Sequence, residues 1–498
     1  MKEIHKILKN QYWDNLTDES KIQGVADSIS FPMQEEDVAN IISYMNTKKI
    51  NVTIQGARTG LSGGSVPRGG HVMNMSRMNK ITGIKYCAEK DEFILSLQPG
   101  VLLQDLNTAI RRKEIVIFNE KRQIRNDIDQ FRRAGRYFFP PDPTESLASI
   151  GGIVSCNAAG PCSYAYGSVR QYVSQIRVVL SDGTVLTIRR GGNKCKKRIC
   201  HINIENKNIS FELPKYSFSN PKNSAGYFSQ DDMDIIDLFI GAEGTLGIIT
   251  SIDLRIIHEP NEKFRCISFF HNNDDALNFA DKMKHAKDEF GNISVVALEY
   301  IDNYSMRLVE QQRSKIQAAE IIPEIDTSFA AGIYFELHSG NTDNLDYATQ
   351  IAVDMMEMCG GNTENTWVSS EERELDPLKV FRHAIPESAN VLMDDYKHNN
   401  PGLTTICTDM AVQEKNIKKM MEMYKRDLNN KKIQYIMYGH IGDNHLHINM
   451  LPKDMKEYEI GLELYKRWAK KIAEWGGTLS AEHGIGTVSY THLTLPTN

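Results

Sequence analysis

The stretch QGARTGLSGGSVPRGG, Gln55–Gly70, holds six glycines in sixteen residues and no acidic side chain. It follows a strand-like segment, NVTI, at residues 51–54. Glycine lets main-chain N–H groups approach a ligand closely, and oriented amides of this kind bind anions. The stretch contains neither GxGxxG nor GxxxxGK[ST], which excludes the Rossmann and Walker phosphate loops. It therefore predicts another kind of diphosphate-binding loop, and the alternative is a plain surface hairpin.

Two further patches of small residues follow along the chain. PPDPTESLASIGGIVSCNAAG occupies Pro140–Gly160, and GAEGTLGIIT occupies Gly241–Thr250, where it is expected to lead into a buried strand. Small residues permit close backbone approach to a flat ligand. Three such patches between residues 55 and 250 predict a long ligand, such as a dinucleotide, lying across one domain.

Composition indicates a soluble globular protein of more than one domain: 498 residues, 41% hydrophobic and 24% charged. The net charge of -6 offers no general attraction to nucleic acid. The charged N-terminus lacks the apolar core of a secretory signal, so we expect a cytoplasmic protein. The basic run Arg189–Arg198 is interpreted as a solvated loop; the alternative is a docking patch for an anionic partner or a membrane surface.

The eight cysteines form no CxxC pair and have no histidines at zinc-finger spacing. We therefore expect reduced and mostly buried thiols. An iron–sulfur cluster bound by this chain is not expected.

The pattern of strands and helices changes near residue 260. Before it, β-branched runs punctuated by Gly and Pro alternate with short helical patterns, which is typical of an α+β fold. After it, amphipathic helices alternate with strands and predict a second, α/β unit. Two segments look inserted: residues 114–136, predicted to be a surface helix or loop, and residues 190–234, a long polar excursion of the kind that is usually functional or mobile.

YGHIGDNHLHINML, residues 438–451, is predicted to form a strand, a tight turn and a second strand. Side chains repeat every two residues along a strand, so His445, His447 and Asn449 share one face, with His440 beside the same turn. SAEHGIG then brings Glu482. A lone histidine usually packs or lies at the surface, but two histidines and a glutamate are typical of a catalytic Zn²⁺ or a similar divalent ion.

The chain resembles the FAD-linked oxidoreductases of the vanillyl-alcohol oxidase and p-cresol methylhydroxylase (PCMH) superfamily. Within it, the match is to the D-2-hydroxyacid dehydrogenase branch, which includes D-lactate dehydrogenase, the glycolate oxidase FAD subunit and D-2-hydroxyglutarate dehydrogenase. The motifs run in family order from residue 56 to residue 486: GARTGLSGGSVP, LQPGV, PPDPTES, IGGIVSCNAAG, KNSAGY, IGAEGTLGI, GHIGDNHLHIN and AEHGIG.

The resemblance implies an α+β protein in which a two-part PCMH-type FAD-binding domain precedes an α/β cap domain with an antiparallel sheet. The expected segments are an N-terminal helical segment (1–30), the FAD-binding domain (31–258), the substrate or cap domain (259–486) and an atypical tail (487–498). We interpret the tail as a truncated or misassembled end, because the family continues into a further helix after Gly486.

The resemblance also implies that the first domain binds FAD, with the opening loop around the diphosphate. We expect non-covalent FAD, because the loop has no histidine and His71 lies beyond it on the next strand. The predicted cofactor-binding residues are Gly56, Ala57, Arg58, Thr59, Gly60, Leu61, Gly63, Gly64, Pro143, Gly151, Gly152, Asn157, Gly160, Glu243, Gly247 and Ile248.

In metal-dependent members of the family, the matching ligands are His440, His447 and Glu482, with Zn expected and Mn or Fe as alternatives. The commoner family form has Gly-Asn where this chain has Asn444-His445, so His445 is expected to compete for the metal or to support it. FRHAIPES is predicted to place Arg382 before a Pro-bounded helix. The resemblance gives Arg382 the substrate carboxylate, for which a planar guanidinium is suited, and the alternative is a surface ion pair.

The predicted reaction oxidises a D-2-hydroxy acid to a 2-oxo acid. His483 would remove the hydroxyl proton, Arg382 and Asn449 would orient the carboxylate end, and the hydride would pass to flavin N5 with metal assistance. Electrons would leave to a quinone, an electron-transfer flavoprotein or an iron–sulfur subunit.

For partners, we expect a small-molecule acid, no nucleic acid, at most peripheral contact with the inner face of a membrane, and a homodimer. Two alternative functions stay open. One is an alkyl-glycerone-phosphate synthase type of FAD enzyme. The other is a flavin-free metallohydrolase built on His440, His447 and Glu482.

Overall fold

The computed structural model describes residues 4–6, 10–117, 122–141, 143–204, 207–216, 222–286, 290, 293–369 and 376–486. The predicted tail, 487–498, lies outside the described residues. Helices and antiparallel sheets are mixed throughout, as the predicted α+β class requires.

The N-terminal sheet has the strand order β1-β2-β4-β3, with β1 antiparallel and the others parallel. Its strands are β1 (Ile4–Lys6), β2 (Ser28–Ser30), β3 (Val52–Gln55) and β4 (His71–Asn74). Within residues 1–30, where a helical segment was expected, the described residues form a 3-10 helix, Asn10–Leu16, between two strands. β2 extends because it pairs with the buried β4. Helix α1 (Glu35–Thr47) packs its apolar side on this sheet.

A second, antiparallel sheet completes the N-terminal unit. Its order is β5-β6-β12-β8-β9, with β7 also paired to β12. The strands are β5 (Ile81–Cys87), β6 (Glu92–Leu97), β7 (Tyr137–Phe138), β8 (Val173–Val179), β9 (Val185–Arg189) and β12 (Ile248–His258). The helices are α2 (Leu103–Arg112), α3 (Arg122–Arg133), α4 (Ile150–Ser155), α5 (Ser163–Tyr166) and α6 (Ile236–Phe239).

The C-terminal unit is built on an antiparallel sheet of order β16-β13-β15-β14-β18-β19-β17. Its strands are β13 (Glu262–Phe270), β14 (Ser294–Asp302), β15 (Ala331–Ser339), β16 (Thr366–Ser369), β17 (Ile406–Cys407), β18 (Tyr435–Gly439) and β19 (His447–Met450). The helices are α7 (Asn273–His285), α8 (Asn303–Gln312), α9 (Thr342–Met358), α10 (Pro377–Lys397), α11 (Ile417–Lys431) and α12 (Met455–Glu474).

Helices cover both faces of the C-terminal sheet, so its strands are apolar on both sides. Helices α7, α9, α11 and α12 pack on one face around the fully buried Trp468. Helices α8 and α10 pack on the other, where Phe381 and Tyr334 are buried. In β15, Ile333 and Phe335 face the first cluster while Tyr334 faces the second, as the two-residue repeat of a strand requires.

The described parts of the two inserted segments contain regular secondary structure. Residues 114–136 include α3, which buries Ile128 and Phe131. Residues 190–234 include a hairpin of β10 (Ile199–Ile204) and β11 (Lys207–Glu212).

The expectation that the cysteines are reduced thiols is wrong for Cys195 and Cys200, which form a disulfide. A β-bridge between Lys196 and Ile199 closes the turn between the two cysteines, whose Cα atoms are 4.2 Å apart. The spacing CKKRIC was the signal in the sequence. Among the described residues, no helix is long and apolar enough to cross a membrane.

Candidate functional site

The three glycine-rich patches of the N-terminal unit come together in space. The N–H of Ala57 in the first patch donates to Ser149 Oγ at the start of the second, at 3.3 Å. The N–H of Glu243 in the third patch donates to the carbonyl of Ser155, at 2.8 Å. We call this surface the cradle and define it as residues 56–64, 149–160 and 241–248. One extended ligand can therefore touch all three patches.

The first loop of the cradle combines tight packing with free amides. A Cβ on Gly56 would lie 2.1 Å from Ser149 Oγ, whereas a Cβ on Gly60 would meet nothing within 4 Å. Among the described residues, none accepts a hydrogen bond from the main-chain N–H of Thr59, Gly60 or Leu61. Gly56 is therefore required for packing, while the tip of the loop offers N–H groups to an anion.

Several predicted cofactor residues also have packing roles. A Cβ on Gly151 would lie 2.5 Å from Pro99 Cβ, and one on Gly247 would lie 2.4 Å from Val178 Cγ1. The N–H of Gly160 donates to Ser163 Oγ. The other predicted residues of the second and third patches are Pro143, Gly152, Asn157 and Ile248, and those of the first are Arg58, Gly63 and Gly64. Small residues here serve the fold as well as any ligand.

The loop that follows Glu482 docks directly on the cradle. The Glu243 carboxylate accepts the N–H groups of Ile485 at 3.0 Å and Gly486 at 2.9 Å. Ser62 Oγ donates to the carbonyl of His483 at 3.1 Å. Burial raises the pKa of Glu243, and the two amides oppose that rise. These contacts place His483, whose side chain is 28% exposed, at the junction of the cradle and the C-terminal unit.

The predicted strand–turn–strand carries the histidines. β18 and β19 are antiparallel, a 3-10 turn at Ile441–Asp443 connects them, and Asn444 takes a left-handed conformation with φ of 55°. Gly442 lies against Tyr164 of the N-terminal unit, where a Cβ would come within 2.9 Å of the ring. The turn is thus covered by a residue from the other unit.

Four side chains form what we call the histidine cluster: His440, His445, His447 and Glu482. One ring nitrogen from each histidine and one oxygen of Glu482 all lie within 4.8 Å of one another. His440 Nε2 is 3.3 Å from Glu482 Oε1, and the ring centroids of His445 and His447 are 4.4 Å apart. The predicted ligands do converge, and His445 joins them.

Glu482 and His447 are held in the forms that bind a cation, whereas His440 must lose a proton before it can bind one. Burial by itself raises the pKa of Glu482, but the charges of His440 and Lys222 hold it well below the usual range. Burial lowers the pKa of His447 far below its ordinary value, assisted by His445 and His483. Burial opposes protonation of His440, yet Glu482 raises its pKa to about 9. A neutral imidazole and a carboxylate are the forms that bind metals.

Asp409, which the sequence did not point to, organises the loop after the cluster. Its carboxylate accepts the N–H groups of Glu482 and His483, the latter at 2.7 Å, and the hydroxyl of Ser480 at 2.8 Å. His445 Nε2 lies 2.9 Å from its Oδ1. Burial raises the pKa of Asp409, but His483 and His445 outweigh it and hold the carboxyl ionised. One buried carboxylate thus sets the position of both Glu482 and His483.

Glu299 is the second residue that sequence reasoning missed. In the structure Arg382 is not a surface residue: its guanidinium pairs with Glu299 and lies 4.6 Å from the Tyr334 ring centroid. His440 Nδ1 is 2.9 Å from the same carboxylate. Despite burial, Arg382 and His440 lower the pKa of Glu299 to about 2. The signal was a lone acidic residue within the apolar strand VVALEYI.

Arg382 lies within a helix, which corrects a local prediction. FRHAIPES was expected to precede a Pro-bounded helix, but Pro386 lies inside α10. Pro386 has no N–H to donate to the carbonyl of Arg382 four residues earlier, so α10 forms in spite of local propensity, because its apolar side is buried. Asn449 faces the same region: its Nδ2 is 3.4 Å from the Tyr438 hydroxyl, and its buried Oδ1 has no partner among the described residues.

Lys222 reaches the cluster from the long excursion of the N-terminal unit. Its ammonium contacts the Glu482 carboxylate and lies 3.3 Å from Asp443. Burial disfavours the charge, but these two carboxylates raise the pKa of Lys222. The neighbouring Ser224 donates its N–H to the carbonyl of Ser480 at 2.8 Å. This part of the excursion is therefore tied to the loop that carries Glu482.

The residues present fit both groups that the sequence implied. The free amides at the loop tip and the open space beside Gly60 suit a diphosphate. Imidazoles with a carboxylate suit Zn²⁺ or another borderline divalent ion. The unpartnered Oδ1 of Asn449 adds a polar atom that a bound substrate would satisfy.

Two sequence families match the chain. The FAD binding domain matches residues 26–121 and 124–189, and the C-terminal domain of FAD linked oxidases matches residues 260–494. Together they span most of the chain, and the second match begins at residue 260, near the break between the two groups of sheets.

Curated relatives cover nearly the whole chain at modest identity. A D-lactate dehydrogenase of Anaerostipes hadrus is 27% identical over 91% of this chain and 79% of its own length. Glycolate oxidase subunit GlcD of Bacillus subtilis is 24% identical over 95% of this chain and 83% of its own length. Among solved structures, p-cresol methylhydroxylase with substrate bound matches with a TM-score of 0.64 at 14% identity, covering 98% of this chain and 87% of that one. This last likeness is one of fold.

Proposed function

Because the chain belongs to the FAD-linked oxidases, we propose that this FAD-dependent oxidoreductase oxidises a D-2-hydroxy acid of the lactate, glycolate or 2-hydroxyglutarate class to the 2-oxo acid. The observation that carries the proposal is the position of His483, where the cradle meets the histidine cluster. In the proposal, the flavin, the divalent ion and the proton acceptor meet at this junction.

FAD, when bound, supplies the acceptor for the two electrons and the hydrogen from C2. In the proposal, the amides of Thr59, Gly60 and Leu61 hold its diphosphate, and the attachment is non-covalent. His71 supports this, because both of its ring nitrogens lie 2.8 Å from serine hydroxyls, those of Ser28 and Ser30. Both nitrogens of the imidazole that follows the loop are therefore hydrogen-bonded within the fold, and neither is free to attach a flavin.

A divalent ion, when bound by His440, His447 and Glu482, lowers the pKa of a coordinated hydroxyl. The chain's own groups then handle the proton and the acid. The His483 imidazole, which is stacked on His447 with ring centroids 5.3 Å apart, accepts the hydroxyl proton. Arg382 and Asn449 orient the carboxylate. Glu299 holds the Arg382 guanidinium and the His440 ring in place.

The test is anaerobic reduction of the bound flavin, followed by absorbance, with D-lactate, glycolate, D-2-hydroxyglutarate and the available L-enantiomers, each with and without a chelator. We expect bleaching by at least one D-acid or glycolate, and its loss after metal removal. A flavin that stays oxidised with every acid would overturn the proposal. If a chelator does not affect bleaching, the metal has no part in the proposed reaction.

A further inference from the structure

His445 is the most enclosed member of the histidine cluster. It is 0% exposed, and neither of its ring nitrogens has a hydrogen-bond partner of good geometry among the described residues. A buried polar atom without a partner carries a desolvation cost. A packed histidine without another role would leave that cost unrelieved.

The surroundings of His445 point toward the other ligands. Its ring centroid is 4.4 Å from that of His447 and 5.5 Å from that of His440. A ring nitrogen of His445 belongs to the group of four ligand atoms that lie within 4.8 Å of one another. One ring nitrogen of His445 therefore lies within 4.8 Å of a candidate ligand atom from each of His440, His447 and Glu482.

Asp409 lies beside the ring. Its Oδ1 lies 2.9 Å from His445 Nε2. A carboxylate beside one nitrogen of an imidazole is the usual arrangement that orients the other nitrogen toward a metal. Asp409 in turn holds the backbone of Glu482, so the carboxylate ligand and the third imidazole share one support.

We propose that His445 is a fourth protein ligand, so that the divalent ion of this enzyme is held by three imidazoles and one carboxylate. The inference rests on the metal site of the proposed function. Four protein ligands fill a tetrahedral shell, so binding of a hydroxy acid requires five or six coordination. The site therefore favours an ion that expands its shell readily, such as Mn²⁺, Fe²⁺ or Co²⁺, or Zn²⁺ that becomes five-coordinate.

The deciding experiment counts imidazoles on the metal in the flavin-containing protein. Zn²⁺-loaded protein is measured by X-ray absorption fine structure, and Cu²⁺-loaded protein by pulsed EPR of the remote ring nitrogens. We expect three imidazoles in the native chain, two in His445→Asn and three in His483→Asn. The count decides rather than the affinity, because loss of a residue that only orients a ligand also weakens binding by about 10- to 100-fold.

Two imidazoles in the native chain would overturn the proposal, and this measurement does not depend on the folding of any variant. A count that falls in His483→Asn but not in His445→Asn would also overturn it, because the third imidazole would then be His483. A protein that takes up neither ion would have no such site. Failure of the proposed function is separate: the flavin would stay oxidised with every acid, whatever the imidazole count.

Discussion

The cradle is formed mainly by the main chain, whereas the histidine cluster is formed by side chains. In the cradle, main-chain amides are exposed and glycines leave room for a ligand. The cluster consists of buried side chains whose charges are set by their neighbours. Glycine loops mark a backbone site directly in the sequence. A side-chain site depends on supporting residues that lie far away along the chain, such as Asp409, Glu299 and Lys222.

The largest effect is expected on the side-chain site, from His483→Ala. Loss of the proton acceptor should lower the rate of flavin reduction by about 10²- to 10⁴-fold, while the bound flavin is retained. Stopped-flow absorbance at saturating acid measures this. His285→Ala, a change at a histidine side chain that is 61% exposed, is the matched control and should reduce at the native rate. Flavin reduction at the native rate in His483→Ala would show that this residue does not accept the proton.

Glu299→Gln should be the most destabilising single change near the cluster. It leaves the buried Arg382 guanidinium without its charge partner, a loss of about 3–5 kcal/mol in the free energy of unfolding. Urea unfolding measures it. Glu474→Gln, at an exposed ion pair with Lys471, should leave the free energy of unfolding nearly unchanged. Equal stability of the two variants would show that Glu299 does not support the site.

The N-terminal unit should lose stability in acid through His71. Burial lowers the pKa of this imidazole to about 4. Because the folded pKa lies below the unfolded value of 6.5, its contribution is complete above pH 6.5 and is lost as the pH falls toward 4. The full difference is about 3 kcal/mol. Urea unfolding at pH 7 and pH 4.5 should show this decline, and His71→Asn should reduce it. An unchanged decline in that variant would assign it to other groups.

The smallest predicted effect is a change in FAD affinity, without a change in protein stability, when the loop of the cradle is altered. Gly60→Ala places a Cβ in open space, so the stability of the flavin-free protein should not change. If the diphosphate fills that space, FAD affinity should fall roughly tenfold, or 1.4 kcal/mol. Flavin fluorescence measures this. Gly340→Ala, at another glycine with no neighbour within 4 Å, should bind FAD normally. If Gly60→Ala binds FAD with native affinity, the diphosphate does not bind at this loop.

Local pattern was enough for much of this fold. Strand alternation and turn residues predicted β18, the turn and β19, and apolar periodicity predicted the alternation of helices and strands after residue 260. Where local pattern conflicted with tertiary packing, it failed. Pro386 lies inside α10 because that helix is buried on one side, and Ser28–Ser30 is extended because β4 pairs with it.

The predicted site was incomplete for the same reason. His440, His447 and Glu482 were predicted from motif and resemblance, and the structure brings them together. Asp409 gave no signal of its own, because its role depends on backbone N–H groups more than seventy positions away. Lys222 begins the KNSAGY motif in the polar excursion, but the motif alone did not show its partner, because Glu482 is 260 positions further along.

The absorbance spectrum of the folded protein, recorded after FAD has been supplied and excess cofactor removed, shows whether the cradle binds a flavin. We expect a yellow protein with one flavin per chain, which bleaches when a D-2-hydroxy acid is added without oxygen. Protein that is correctly folded yet remains colourless would contradict this expectation.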